Sequence, residues 1–185
     1  MIILRIFFTI LVIPMFYSVS IHAKTIPSEF TELVGNSNLI AIVNVFEINS
    51  QGKSMPGSAS AQVIRKVVGK IEGSVLKIRW HGIAITKLGQ WLVFLRKDGD
   101  GYRATYGARS FWKIELAELG NNKCCTPFVS LLPPITELNI DNQLISEQFV
   151  YIDGVPRKRN PIKIRGFEIN KLIEYVKKYV TEGSK

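Results

Sequence analysis

Cys124 and Cys125 are adjacent, and they are the chain's only cysteines. A bond between neighbours closes a tight ring and departs from ordinary disulfide geometry. In an oxidising compartment such a pair can form that strained, redox-labile bond, bridge two chains or stay as thiols. No C-x-x-C spacing accompanies it. His81 could serve as a general base. It sits beside Trp80 and alternates onto one strand face with Lys77 and Arg79, but the sequence places no serine and aspartate to complete a triad. Asp98-Gly99-Asp100-Gly101 has the alternate carboxylates of a calcium loop without a third oxygen ligand or a closing glutamate. A hairpin turn accounts for it. The chain has no P-loop, G-x-G-x-x-G, H-E-x-x-H or G-x-S-x-G pattern. From these residues no catalytic group, no metal ligand and no cofactor is expected.

Charge is the stronger signal. The 185 residues carry a formal net charge of +9, and nine of the 24 lysines and arginines fall in residues 157–185, against three of the 15 acids. Arg157, Lys158 and Arg159 are the densest point, with Lys163 and Arg165 close behind. This basic end could meet an anionic envelope component or an acidic protein, or could serve solubility alone. Trp80, Trp91, Tyr102, Tyr106 and Trp112 could supply stacking platforms for a nucleic acid. Export argues against that partner, and aromatic strand residues usually fill cores.

Export is read from the N-terminus. Arg5 precedes an apolar run to about Val19, followed by Ser20, Ile21, His22 and Ala23. A charged start, an apolar centre and a small residue at the cut are the pattern of a secretory signal peptide. The run is interrupted by Pro14 and is short for a membrane span of about 20 residues. Cleavage after Ala23 would leave a mature chain of residues 24–185 with no transmembrane span, periplasmic or secreted.

The mature chain reads as mainly β. A short helix begins near Glu29, with Ser28 as its cap and Gly35-Asn36 as its stop. Leu39–Ile48 has the unbroken apolar run of a strand buried on both faces. A second strand over Ala59–Val68 loses its alternation from Val63 onward, which predicts a bulge. Val75–His81 alternates cleanly, with Leu76, Ile78 and Trp80 on one face. Gln90–Arg96 is the most apolar strand and reads as central, and Tyr102–Tyr106 returns from the Asp-Gly turn as its hairpin partner. Residues 120–134 read as a loop with a short extended piece. Leu144–Ile152 reads as a strand that Ile162–Arg165 could join. A helix over residues 168–180 has Ile169, Leu172, Ile173, Val176 and Val180 at helical spacing. The expected fold is a small OB-like antiparallel barrel in a single domain, residues 24–185, with the two helices covering its open faces. Val43, Val45, Leu76, Ile78, Trp80, Val93 and Leu95 are the expected core.

Across residues 37–102 the segments "SNLIAIVNVFEI", "AQVIRKVVGKIEGSVLKIRW" and "LGQWLVFLRKDGDGY" resemble the netrin-like, tissue-inhibitor-of-metalloproteinase-like domains of exported bacterial proteins. The resemblance implies a five-stranded OB-type barrel, export and a binding role. It does not extend to the inhibitory chemistry. The metalloproteinase inhibitors chelate zinc through an N-terminal cysteine, whereas the mature chain here would begin at Lys24 and has cysteines only at 124 and 125. The expectation is therefore an exported, non-enzymatic binding protein. The alternatives are an inhibitor or toxin-immunity protein inserting residues 120–134 or 153–161 into an enzyme, and a small hydrolase with an unrecognised site.

Overall fold

The computed structural model describes residues 29–50, 56–82, 84–118, 125–150 and 162–183. A first helix, α1 (Phe30–Gly35), is followed by β1 (Leu39–Ser50), β2 (Pro56–Val68), β3 (Val75–His81), β4 (Gly89–Asp98) and β5 (Gly101–Ala104). These five strands close on themselves in the order β1–β2–β3–β5–β4, with β4 returning to β1 over Leu39–Val45. This is an OB-like barrel. The sequence reading anticipated antiparallel pairing throughout, and one pair differs: β3 and β5 run parallel, with Ile78 opposite Tyr102 and Arg79 opposite Arg103. The tight Asp98↔Gly101 hairpin fixes β5 antiparallel to β4. Closing the ring then brings β5 alongside β3 in the same direction.

β1 and β4 form a wall between two cores, which explains their unbroken apolar runs. Leu39, Ala41, Val43 and Val45 of β1 and Trp91, Val93 and Leu95 of β4 point into the barrel, where they meet Leu76, Ile78 and Trp80. All seven expected core residues lie in this cluster. Ile40, Ile42, Leu92 and Phe94 point outward into a second core. That core is completed by α1 and by α2 (Ile169–Glu182), which contributes Leu172, Ile173 and Val176. The helices thus cover the flank of the barrel and not its open faces, because the outward apolar residues of β1 and β4 need cover more than the rims do. At six residues, α1 is too short to hold by its own hydrogen bonds. Phe30 secures it among the rings of Phe94, Trp112 and Tyr175. The Ser28 cap lies outside the described residues; Glu29 takes the cap position without a side-chain bond to the helix, its carboxylate accepting instead from Asn139 Nδ2.

Slippage in β2 takes the form of bulges. Val68 and Lys66 face Ile40 and Ala41, leaving Val67 over, and Arg65 and Val63 face Ile42 and Val43, leaving Ile64 over. A third irregularity releases Phe46 of β1. A bulged residue has no place in the alternation, and Ile64 and Phe46 are both about half exposed.

The chain then adds β6 (Phe111–Lys113) to β4 and forms a second, smaller ring from β7 (Glu115–Glu118), β8 (Cys125–Ser130), β9 (Ile145–Val150) and β10 (Ile162–Glu168). Its order is β10–β8–β7–β9, and the single pair Glu118↔Phe149 closes it. The expected pairing of the 144–152 and 162–165 segments is present as β9–β10. Phe167 of β10 stacks on Trp112 and ties this ring to the second core.

Candidate functional site

A cleft of about 650 Å³ opens at one end of the barrel, between the start of β2, the end of β3 and β5. Gly57, Ser58, Arg79, Trp80, His81 and Arg103 are among its lining residues. Strand register assembles it. Ser58 lies opposite Arg79, Arg79 opposite Arg103, and Arg103 opposite Arg96. Three arginines on adjacent strands are thereby set side by side, and like charges directly opposite one another repel.

Two of the three have compensation. Arg79 Nη2 donates to the Asp98 carbonyl at 2.7 Å and lies 3.3 Å from the Asp98 carboxylate and 3.8 Å from that of Asp100. Arg79 and Asp98 are about half exposed and Asp100 is largely exposed, so the pairs contribute about 0–1 kcal/mol of stability and serve mainly to aim the guanidinium. Both carboxylates of the Asp-Gly-Asp-Gly turn therefore face an arginine. Arg96 Nε donates to the Asn36 carbonyl at 2.9 Å, and its guanidinium lies 5.5 Å from the centre of the Tyr106 ring. Arg103 is exposed and makes no hydrogen bond or ion pair among the described residues.

Trp80 forms a wall of the cleft. Its indole is buried against Phe111, ring centres 5.7 Å apart. Gly57 permits this position: a Cβ there would fall 2.5 Å from Trp80 Cε2 and Nε1. Trp80 Nε1 has no hydrogen-bond partner among the described residues, yet it is not sealed from solvent; Arg109 Nε is the one buried unpaired side-chain atom among them. The indole N–H lies over Gly57. His81 is exposed at the rim, also without a hydrogen-bond partner among the described residues.

No protein family, curated protein or solved structure matches the chain. Among the described residues, no helix is long and apolar enough to cross a membrane.

A smaller cavity of about 290 Å³ lies at the seam between the barrel and the second ring. Lys113 Nζ donates to the Leu88 carbonyl at 2.8 Å and lies 5.2 Å from the centre of the Trp91 ring. Burial pulls this ammonium below the usual lysine range; Glu115 opposes the shift and Lys87 adds to it. Ser130 donates to Glu115 at 3.1 Å.

The other residues singled out from sequence lie elsewhere. Cys124, Arg157, Lys158 and Arg159 fall outside the described residues, and Cys125 begins β8. Lys163 and Arg165 are exposed on β10. Lys163 is paired with Glu147, which is also the register partner of Arg165. Trp91 and Tyr102 belong to the barrel core, and Trp112 to the second core. The Arg79–Arg103–Arg96 row was not anticipated, because a parallel pairing across 24 residues of sequence creates it. Lys113, Glu115 and Ser130 match no motif, and only folding brings them to one seam.

Proposed function

We propose that this is an exported, non-enzymatic binding protein, periplasmic or secreted, whose ligand occupies the cleft between β2, β3 and β5. The observation that carries the reading is the unpartnered Arg103 guanidinium on the cleft lining, with Arg79 beside it. A preformed cavity of hundreds of cubic ångströms with a few convergent polar groups is the usual form of a small-molecule site. The OB-type barrel also presents its β2–β3 face and flanking loops to ligands in other proteins, an analogy of fold alone.

The resemblance of residues 37–102 to netrin-like domains belongs to the same proposal. In its support, the "VIRKVVG" segment ends β2, and "LGQWLVFLRKDGDGY" runs through β4 and its turn into β5. Export is proposed on the N-terminal pattern. The seam cavity favours the hydrolase alternative less: the Ser130 hydroxyl is held by Glu115, and Lys113 by a carbonyl and an indole face.

Two measurements test the proposal. Intact mass of protein recovered from the envelope fraction should match residues 24–185, whereas a full-length chain in the membrane pellet would contradict export. In a thermal-shift screen of small molecules, compounds that raise the melting temperature should lose that effect in Gly57→Ala, because the new Cβ displaces the Trp80 indole. Undiminished shifts in the variant would contradict the site.

A further inference from the structure

We infer that the cleft takes a small soluble ligand through a tetrahedral oxyanion of the phosphate type, seated between Arg79 and Arg103. This rests on the reading of the cleft as the binding site and adds the chemistry of what enters it.

The register supplies the geometry. Arg79 and Arg103 are direct neighbours on paired strands, so their backbones stand about 4.8 Å apart and two planar guanidinium forks project from one side of the sheet. Guanidinium donors suit phosphate and carboxylate oxygens better than a point charge does. Trp80, next to Arg79 on β3, faces the other way, into the barrel, so the two arginines form the anion seat by themselves. Two forks, each with several N–H donors, match an anion with three or more acceptor oxygens better than a planar carboxylate with two.

Electrostatics agrees. Asp98, which also lines the cleft, and Asp100 aim Arg79 and offset part of its charge, and Arg96 is engaged with Asn36 and Tyr106. Arg103, flanked by both, is left with repulsion and no counter-charge among the described residues. An oxyanion would relieve that repulsion. A volume of about 650 Å³ accommodates a small molecule bearing the anion. A recessed site of that kind suits a diffusing ligand better than a headgroup held in a membrane plane.

The test is calorimetric titration of the full mature chain with inorganic phosphate and pyrophosphate at several salt concentrations. Arg103→Gln should weaken binding by roughly tenfold or more, since a hydrogen-bonded charge is removed. Arg103→Lys, which keeps the charge and loses the fork, should fall between the two. Lys177→Gln, the same charge change on the exposed face of α2, should leave affinity unchanged. Arg103 has no partner to lose, so Arg103→Gln should melt like the parent chain.

Equal weakening by Arg103→Gln and Lys177→Gln would overturn the inference as mere charge attraction. Absence of phosphate binding, while uncharged screening hits still bind and remain sensitive to Gly57→Ala, would overturn the oxyanion and leave the cleft standing. Absence of both would overturn the cleft as well. Binding to phosphatidylglycerol vesicles, but neither to phosphatidylcholine vesicles nor to free phosphate, would overturn the soluble ligand in favour of a membrane headgroup.

Discussion

Trp112→Ala should lower the unfolding free energy by about 3–5 kcal/mol, the range for removing a large buried aromatic. Trp112 is fully buried and is the hub of the second core. Its ring centre lies 5.3 Å from that of Phe30, 5.1 Å from Phe94 and 5.6 Å from Phe167, so one side chain joins α1, the outer face of β4 and β10. Its Nε1 donates to the Arg109 carbonyl at 2.7 Å, a bond that alanine also removes. Against a total stability of about 5–15 kcal/mol for a typical domain, such a loss would leave the fold marginal. Urea unfolding should show a lower midpoint, with Trp112→Phe recovering much of the difference. A loss below about 1 kcal/mol would mean that the second core does not hold the helices and the smaller ring to the barrel.

The second large effect is expected at Ile78. It is fully buried inside the barrel, opposite Ala59 on one side and Tyr102 on the other. Ile78→Asp places a carboxylate where it has no partner, at a cost of about 4–5 kcal/mol or more. Lys77→Asp, one residue away on the exposed face, should change stability by only about 0.5 kcal/mol. Strand register makes the contrast diagnostic, because a slip of one residue exchanges the two faces. If both variants melted alike, the register of β3 would be wrong.

What was legible in the sequence was what local pattern determines. The alternation of β3, the two-sided apolar runs of β1 and β4 and the helical spacing of α2 each record a burial environment in their own residues. The irregular stretch of β2 likewise announced its bulges through Val63–Val68. Long-range pairing was less legible. Nothing local to Ile78–Arg79 or Tyr102–Arg103 says that these segments pair in parallel, so the arginine row stayed hidden although every member was in plain view. Placement of the helices was missed for a related reason. The apolar character of Ile40, Ile42, Leu92 and Phe94 signals a second buried face without naming what covers it. The sequence also directed attention to charge density at Arg157–Arg159. In the folded barrel the more telling feature is a single arginine, Arg103, without a counter-charge among the described residues.

The most direct test of the proposed cleft is an amide chemical-shift map of the isotope-labelled protein, titrated with the strongest compound from the thermal-shift screen. Shifts should concentrate at the amides of residues 57–58 and 79–81 and of Asp98, Arg103, Ala104 and Gly107, which line the cleft. Shifts concentrated instead around Trp91, Lys113 and Ser130 would move the site to the seam cavity and contradict the assignment of the barrel-end cleft.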